Sequence, residues 1–165
     1  KTKPHAYTWL IWSVTTGTAA FAAYYGGGGA GSLNLILMFF VTFGIFLISL
    51  KYGTKNITIS DKVILALTLL AILVWWQLKQ PVISVIMVSV IDIVGYFPSY
   101  RKTWHEPWSE TVISWLGFAV ANIFAIIALE EYNLLTVTYL LSITLANATI
   151  FLICLIRRPS IPKPT

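Results

Sequence analysis

Few residues in this sequence carry side chains able to do chemistry, and the most telling of them sit inside apolar runs. Asp92 is the sharpest, a formal charge deep within Val88-Ser89-Val90-Ile91-Asp92-Ile93-Val94. An ionised carboxylate at the centre of a membrane span costs at least ~2.5 kcal/mol, so such a group faces a partner or a cavity. Three roles remain open for it: a proton-titrating site, an acceptor for a solute, or a structural acid bonded to Tyr, Trp or Thr neighbours. Asn122 and Asn147 pose the same question, because an amide among apolar residues needs either another helix or a bound molecule. Trp12 and Trp115 add two broad aromatic faces. Pro98 lacks a backbone N–H and either stops its helix or gives it a hinge.

Other chemistries find no support. His5 and His105 stand apart, Cys154 is the only cysteine, and no H-E-x-x-H spacing occurs, so no metal centre is expected. There is no phosphate-binding glycine loop of the Walker type, no nucleophile elbow and no paired carboxylates. Glu106 and Glu110 precede an apolar run, where complementing a helix N-terminus accounts for them. The residues point away from an enzyme and from any cofactor, and toward the handling of a small polar solute.

The elements that must position these groups are helices in a membrane. Of 165 residues, 58% are hydrophobic and 10% charged, against about 45–50% and 25% in soluble domains. Six apolar segments emerge, each near the length of ~20 residues a span needs: α1 about Tyr7–Tyr25, α2 about Leu33–Leu50, α3 about Val63–Leu78, α4 about Val82–Tyr100, α5 about Thr111–Leu129 and α6 about Leu134–Ile156. Gly26–Gly29, Pro81, Pro107 and Asn133 punctuate the connections. The runs are continuous rather than alternating, which excludes a β-barrel. The fold class is all-α, a polytopic membrane protein with six transmembrane helices.

With six spans, ten basic residues fall on one side and only Lys79 on the other. Lys1, Lys3, Lys51, Lys55 and Lys62 are joined there by Arg101, Lys102, Arg157, Arg158 and Lys163. The positive-inside rule then places both ends of the chain in the cytoplasm. The net charge of +5 thereby becomes a topological signal. Contact with anionic lipid headgroups is a minor alternative, and nothing supports nucleic acid as a partner. Lys1 and Lys3 before Ala20-Phe21-Ala22 have the outline of a signal peptide, but the threonines within α1 break its apolar core.

The chain also aligns with itself at a spacing of 103 residues: Pro4 falls on Pro107, Thr8 on Thr111, Trp12 on Trp115, Phe21 on Phe124 and Ala22 on Ala125. The same shift superposes α2 on α6. Two copies with the same orientation require an inverting helix between them, a role that falls to α3. The second copy would be α4-α5-α6, and the first only α1-α2. A helix equivalent to α4 is therefore expected before Lys1, in a plan of three plus one plus three.

Asp92-Ile93-Val94-Gly95-Tyr96-Phe97-Pro98-Ser99-Tyr100-Arg101-Lys102 resembles the PQ-loop motif, in which a helix ends at Pro-Gln before a basic loop. Lys1-Thr2-Lys3-Pro4 resembles the tail of a first copy. Parallel three-helix repeats with an inverting helix are similar to the plan of SWEET sugar transporters and bacterial nicotinamide riboside transporters. Ser99 replaces the motif's Gln. The resemblance implies an asparagine on the third helix of each repeat near the solute; Asn147 matches it, whereas α2 offers Thr42 and Gly44. Trp12 and Trp115 lie nearer the cytoplasmic helix ends than the family's substrate-stacking tryptophans, so sugar specificity is not implied.

The expected organisation is residues 1–52 as the remainder of a first repeat, 53–80 as the linker helix, 81–158 as the second repeat and 159–165 as a cytoplasmic tail. The expected function is a transporter or facilitator of a small polar solute, sugar- or vitamin-like, in a bacterial plasma membrane. Its route would be lined by Asp92, Asn122, Asn147, Trp12 and Trp115, with Pro98 as hinge. Its partners are the lipid bilayer and the solute, with a homo-oligomer left open. The competing reading is a non-transporting subunit or receptor in a larger membrane complex, which a cavity filled by side chains would favour.

Overall fold

The computed structural model describes residues 6–53 and 59–162, apart from the side chains at 60, 61, 75, 76, 78, 98, 101 and 102. Lys1, Lys3, Pro4, His5, Lys55 and Lys163 lie outside the described residues, as do the side chains of Trp75 and Trp76. Among the described residues the structure is all helical: α1 Ala6–Tyr25, α2 Leu33–Tyr52, α3 Ile59–Leu78, α4 Pro81–His105, α5 Val112–Ile127 and α6 Leu134–Arg157, with short 3₁₀ turns at Gly29–Ser32, Pro107–Ser109 and Arg158–Ser160. Gly29–Tyr52 and Leu134–Ser160 are long and apolar enough to cross a membrane.

The glycine run ends α1 by a specific device. Gly27 takes φ +81°, its N–H bonds the Tyr24 carbonyl at 3.1 Å and the Gly28 N–H bonds that of Ala23 at 2.8 Å. These are the paired bonds of a Schellman cap, with glycine where a side chain would be strained. Asn133 starts α6 in the complementary way. Its Oδ1 accepts from the Leu135 and Thr136 N–H groups, while its own N–H donates to Thr136 Oγ1 at 3.0 Å, a capping box. Its Nδ2 donates to the Gly26 carbonyl at 2.6 Å, so one residue caps α6 and ties it to the end of α1. The turn after α1 and the turn after α5 therefore meet at the same end of the bundle. Gly31 sits where a Cβ would come within 2.6 Å of the Ala125 carbonyl oxygen, which explains why this junction has no side chain.

Pro98 does not stop α4. The helix runs on through Arg101 and Lys102, which fall in it rather than in a loop, to His105. The stop is supplied by Glu106, which precedes Pro107 and leaves the helical region (φ −129°, ψ 63°), because proline disfavours the α conformation in the residue before it.

Packing follows residue size. The face of α1 carrying Thr15, Ala19, Ala22 and Ala23 is buried, and with Leu35, Val85, Val88 and Leu140 it forms the bundle core. Small side chains let helix backbones approach closely where dispersion drives association. α6 lies between α4 and α5, which scarcely touch each other, while α2 packs chiefly on α1 and α3 on α4 and α1. Ser84 Oγ donates to the Ala71 carbonyl at 2.6 Å and pins α3 to α4.

Candidate solute cavity

A cavity of about 430 Å³ opens among α1, α2, α4, α5 and α6, and Asp92, Asn122, Asn147, Trp12 and Trp115 all line it. Five residues drawn from four helices on sequence grounds thus share one space. Its size falls within the ~300–1,000 Å³ of small-molecule sites. A larger hollow of about 640 Å³ lies against α1, α2 and α3, but Val14, Ile36, Phe39 and Phe40 make its wall largely apolar.

Asp92 is buried and half satisfied. Tyr139 Oη donates to its Oδ2, and Tyr139 Oη in turn lies 3.5 Å from Thr16 Oγ1. Asp92 Oδ1 is buried with no hydrogen-bond partner among the described residues. Thr15 faces the same carboxyl, but its hydroxyl donates to the Trp12 carbonyl at 3.2 Å. Buried carboxylate oxygens are rarely left unpaired, and each such case calls for a reason.

The amides behave differently from one another. Asn122 Oδ1 accepts from Asn34 Nδ2 at 2.8 Å, joining α5 to α2 across the cavity. Asn147 Nδ2 donates to the Ile143 carbonyl of its own helix at 2.6 Å, and its side chain meets Tyr96. Thr42 lines the cavity as Asn147 does, whereas a Cβ at Gly44 would face open space. Of these two, Thr42 is the one that reaches the cavity, and its hydroxyl donates to the Met38 and Phe39 carbonyls of its own helix.

Two aromatic pairs form the walls. Trp9 and Trp12 meet edge to face with ring centroids 5.2 Å apart, and Tyr96 and Trp115 do the same at 6.2 Å. Trp115 is held from below: its Nε1 donates to Glu110 Oε2 at 3.0 Å, and Arg158 Nη2 donates to the Glu110 carbonyl at 2.8 Å. Glu110 therefore orients a cavity wall, which is more than complementing a helix end. Arg157 and Arg158 stack over Trp104 and Trp108 at 4.8 and 4.5 Å, locking the α4–α5 connection to the end of α6. The side chain of Pro98, the expected hinge, lies outside the described residues.

Sequence reasoning passed over Tyr96, Tyr139, Asn34 and Trp9 as site residues. Tyr96 was legible, since it follows Asp92 by one helical turn and must share its face. Tyr139 and Asn34 were not, because only the tertiary arrangement brings them to this space. Comparison with protein families, with curated proteins and with solved structures found no match. Among the described residues no group of His, Cys, Asp and Glu could hold a metal ion.

Proposed function

We propose that this chain is an integral membrane protein that carries a small polar solute between two helical repeats, as a transporter or facilitator of the PQ-loop type. The observation that carries the proposal is the cavity itself: Asp92, a buried acid with one unpartnered oxygen, lines a space of solute size together with aromatic rings and amides. An unfilled space at this point favours passage of a solute over a packed structural subunit.

Six spans, with both ends of the chain in the cytoplasm, remain part of this reading, and polarity supports the membrane. Polar groups such as Asp92, Asn122 and Asn147 are buried, while Phe21, Leu37, Phe40 and Ile127 are more than 60% exposed. A water-soluble surface does not carry apolar side chains on this scale. Hydroxyls within the helices bond carbonyls three or four residues back, as at Ser13, Thr18, Thr68, Ser89 and Thr144. That is how hydroxyls are satisfied where water is absent. The meeting of the α1–α2 and α5–α6 turns at one end supports parallel repeats, and solute sites in such proteins lie between the repeats.

The test is flux. Proteoliposomes bearing the protein are expected to take up at least one solute from a panel of sugars, vitamins, amines and amino acids, and Asp92→Asn is expected to cut that uptake severely. No flux for any solute, together with unaltered behaviour of Asp92→Asn, would sink the proposal.

A further inference from the structure

We propose that the cavity selects a compact organic amine in its protonated form, with the ammonium N–H donating to the Asp92 carboxylate and the apolar body lodged between the Trp9–Trp12 and Tyr96–Trp115 pairs. The inference deepens the reading of this cavity as a solute site and rests on it.

Three observations select this chemistry. The first is the orphaned acceptor, since a buried carboxylate oxygen without a donor is satisfied by a ligand that brings N–H and positive charge together. The second is the wall. Aromatic faces attract cations through their quadrupole, most strongly when water is excluded, and tryptophan does so best. Two edge-to-face pairs border the same space as the acid. The third is what the wall lacks: among the described residues lining the cavity there is no Lys, Arg or His.

That third observation separates ligand classes. An anion would meet Asp92 with no counter-charge. An amino acid would satisfy Asp92 with its ammonium and leave its carboxylate facing aromatic rings. A sugar needs a donor or acceptor for each hydroxyl, yet much of the wall is aromatic or aliphatic and the Asn34–Asn122 and Asn147–Ile143 bonds take up part of the amide capacity. A monoamine with a small apolar body leaves neither partner unmet.

Matched probes decide the matter in the purified protein in lipid nanodiscs, by calorimetric titration. Benzylamine, benzyl alcohol and phenylglycine share one ring and differ in charge; glucose serves as the polyol. Benzylamine is expected to bind about tenfold or more tightly than benzyl alcohol or phenylglycine, the scale of one charge-assisted hydrogen bond. Asp92→Asn, which keeps an acceptor for Tyr139, is expected to erase that preference. Equal binding of benzyl alcohol, preference for phenylglycine, or binding of glucose alone would overturn the amine assignment and leave the solute site standing. Absence of binding by every probe would overturn the assignment outright, in wild-type protein and independently of any variant. Benzylamine binding without uptake into proteoliposomes would uphold the amine site and remove the transport reading.

Discussion

α2 and α6 are similar as sequences and different as structural elements. Both are long apolar helices, and both bury a stripe at seven-residue spacing: Leu35, Thr42 and Ser49 in α2, Leu140, Asn147 and Cys154 in α6. Seven residues make two helical turns, so each stripe faces one direction. Yet α2 buries nothing beyond its stripe, while α6 also buries Thr136, Tyr139, Thr144, Ala146 and Ile150. The difference lies in their neighbours. α6 is wedged between α4 and α5, whereas α2 leans on α1 and meets α5 only lightly. Hydrophobicity marked both as helices of one kind; the number of packed partners decides which can hold a buried polar constellation. The half of the cavity with the acid, Tyr139 and Asn147 is accordingly the α4–α6 half, and α2 contributes only Asn34, Thr42 and apolar wall.

The largest effect should come from equal truncations in the two helices. Leu140 is fully buried and Leu37 is 65% exposed. Leu140→Ala is expected to destabilise the protein by about 2–5 kcal/mol through the cavity it leaves, and Leu37→Ala by less than about 0.5 kcal/mol. Thermal unfolding in a fixed detergent reads both. Equal shifts would mean that α2 is as deeply packed as α6, and the comparison would fail.

A second contrast lies at the N-terminal end of α2. A Cβ at Gly31 would press on the Ala125 carbonyl at the junction of the two turns, while one at Gly44 would meet nothing within 4 Å. Gly31→Val is expected to cost about 1–3 kcal/mol by overpacking. Gly44→Ala is expected to stabilise by about 0.5–1 kcal/mol, because a mid-helix glycine loses more backbone freedom than alanine. A neutral Gly31→Val in the same unfolding assay would show that the turns do not meet as closely as described.

Much of this architecture is legible in the amino-acid sequence. Continuous apolar runs gave the six helices, since their length arises from local composition, and Asn133 and the Gly26–Gly29 run marked the turns between them, though not the caps they make. Asp92, Asn122, Asn147, Trp12 and Trp115 stood out because polar or repeated aromatic groups in apolar helices are costly or patterned. What was not legible depends on which faces meet. Pro98 read as either a helix stop or a hinge, and local sequence alone did not show that α4 runs past it to end before Pro107. Glu110 read as a dipole partner because nothing local shows that Trp115 lies above it. Tyr139 is one of eight tyrosines, and only its place opposite Asp92 singles it out.

The smallest expected effect is also the one that tests the weak edge of α2 most directly. Asn34 Nδ2 and Asn122 Oδ1 form the one described side-chain hydrogen bond linking α2 to α5, at 2.8 Å. On the proposed reading of the bundle as membrane-embedded, an interhelical hydrogen bond contributes about 0.6 kcal/mol on average by double-mutant cycles, because either helix finds other partners when the bond is lost. Asn34→Ala and Asn122→Ala, singly and together, should therefore show a coupling of about that size in unfolding free energy. A coupling near zero would mean that α2 reaches α5 only through apolar contact. A coupling of several kcal/mol would mean that the bond is shielded as thoroughly as the Asp92–Tyr139 pair, and the division between a tightly built half and a lightly held one would dissolve.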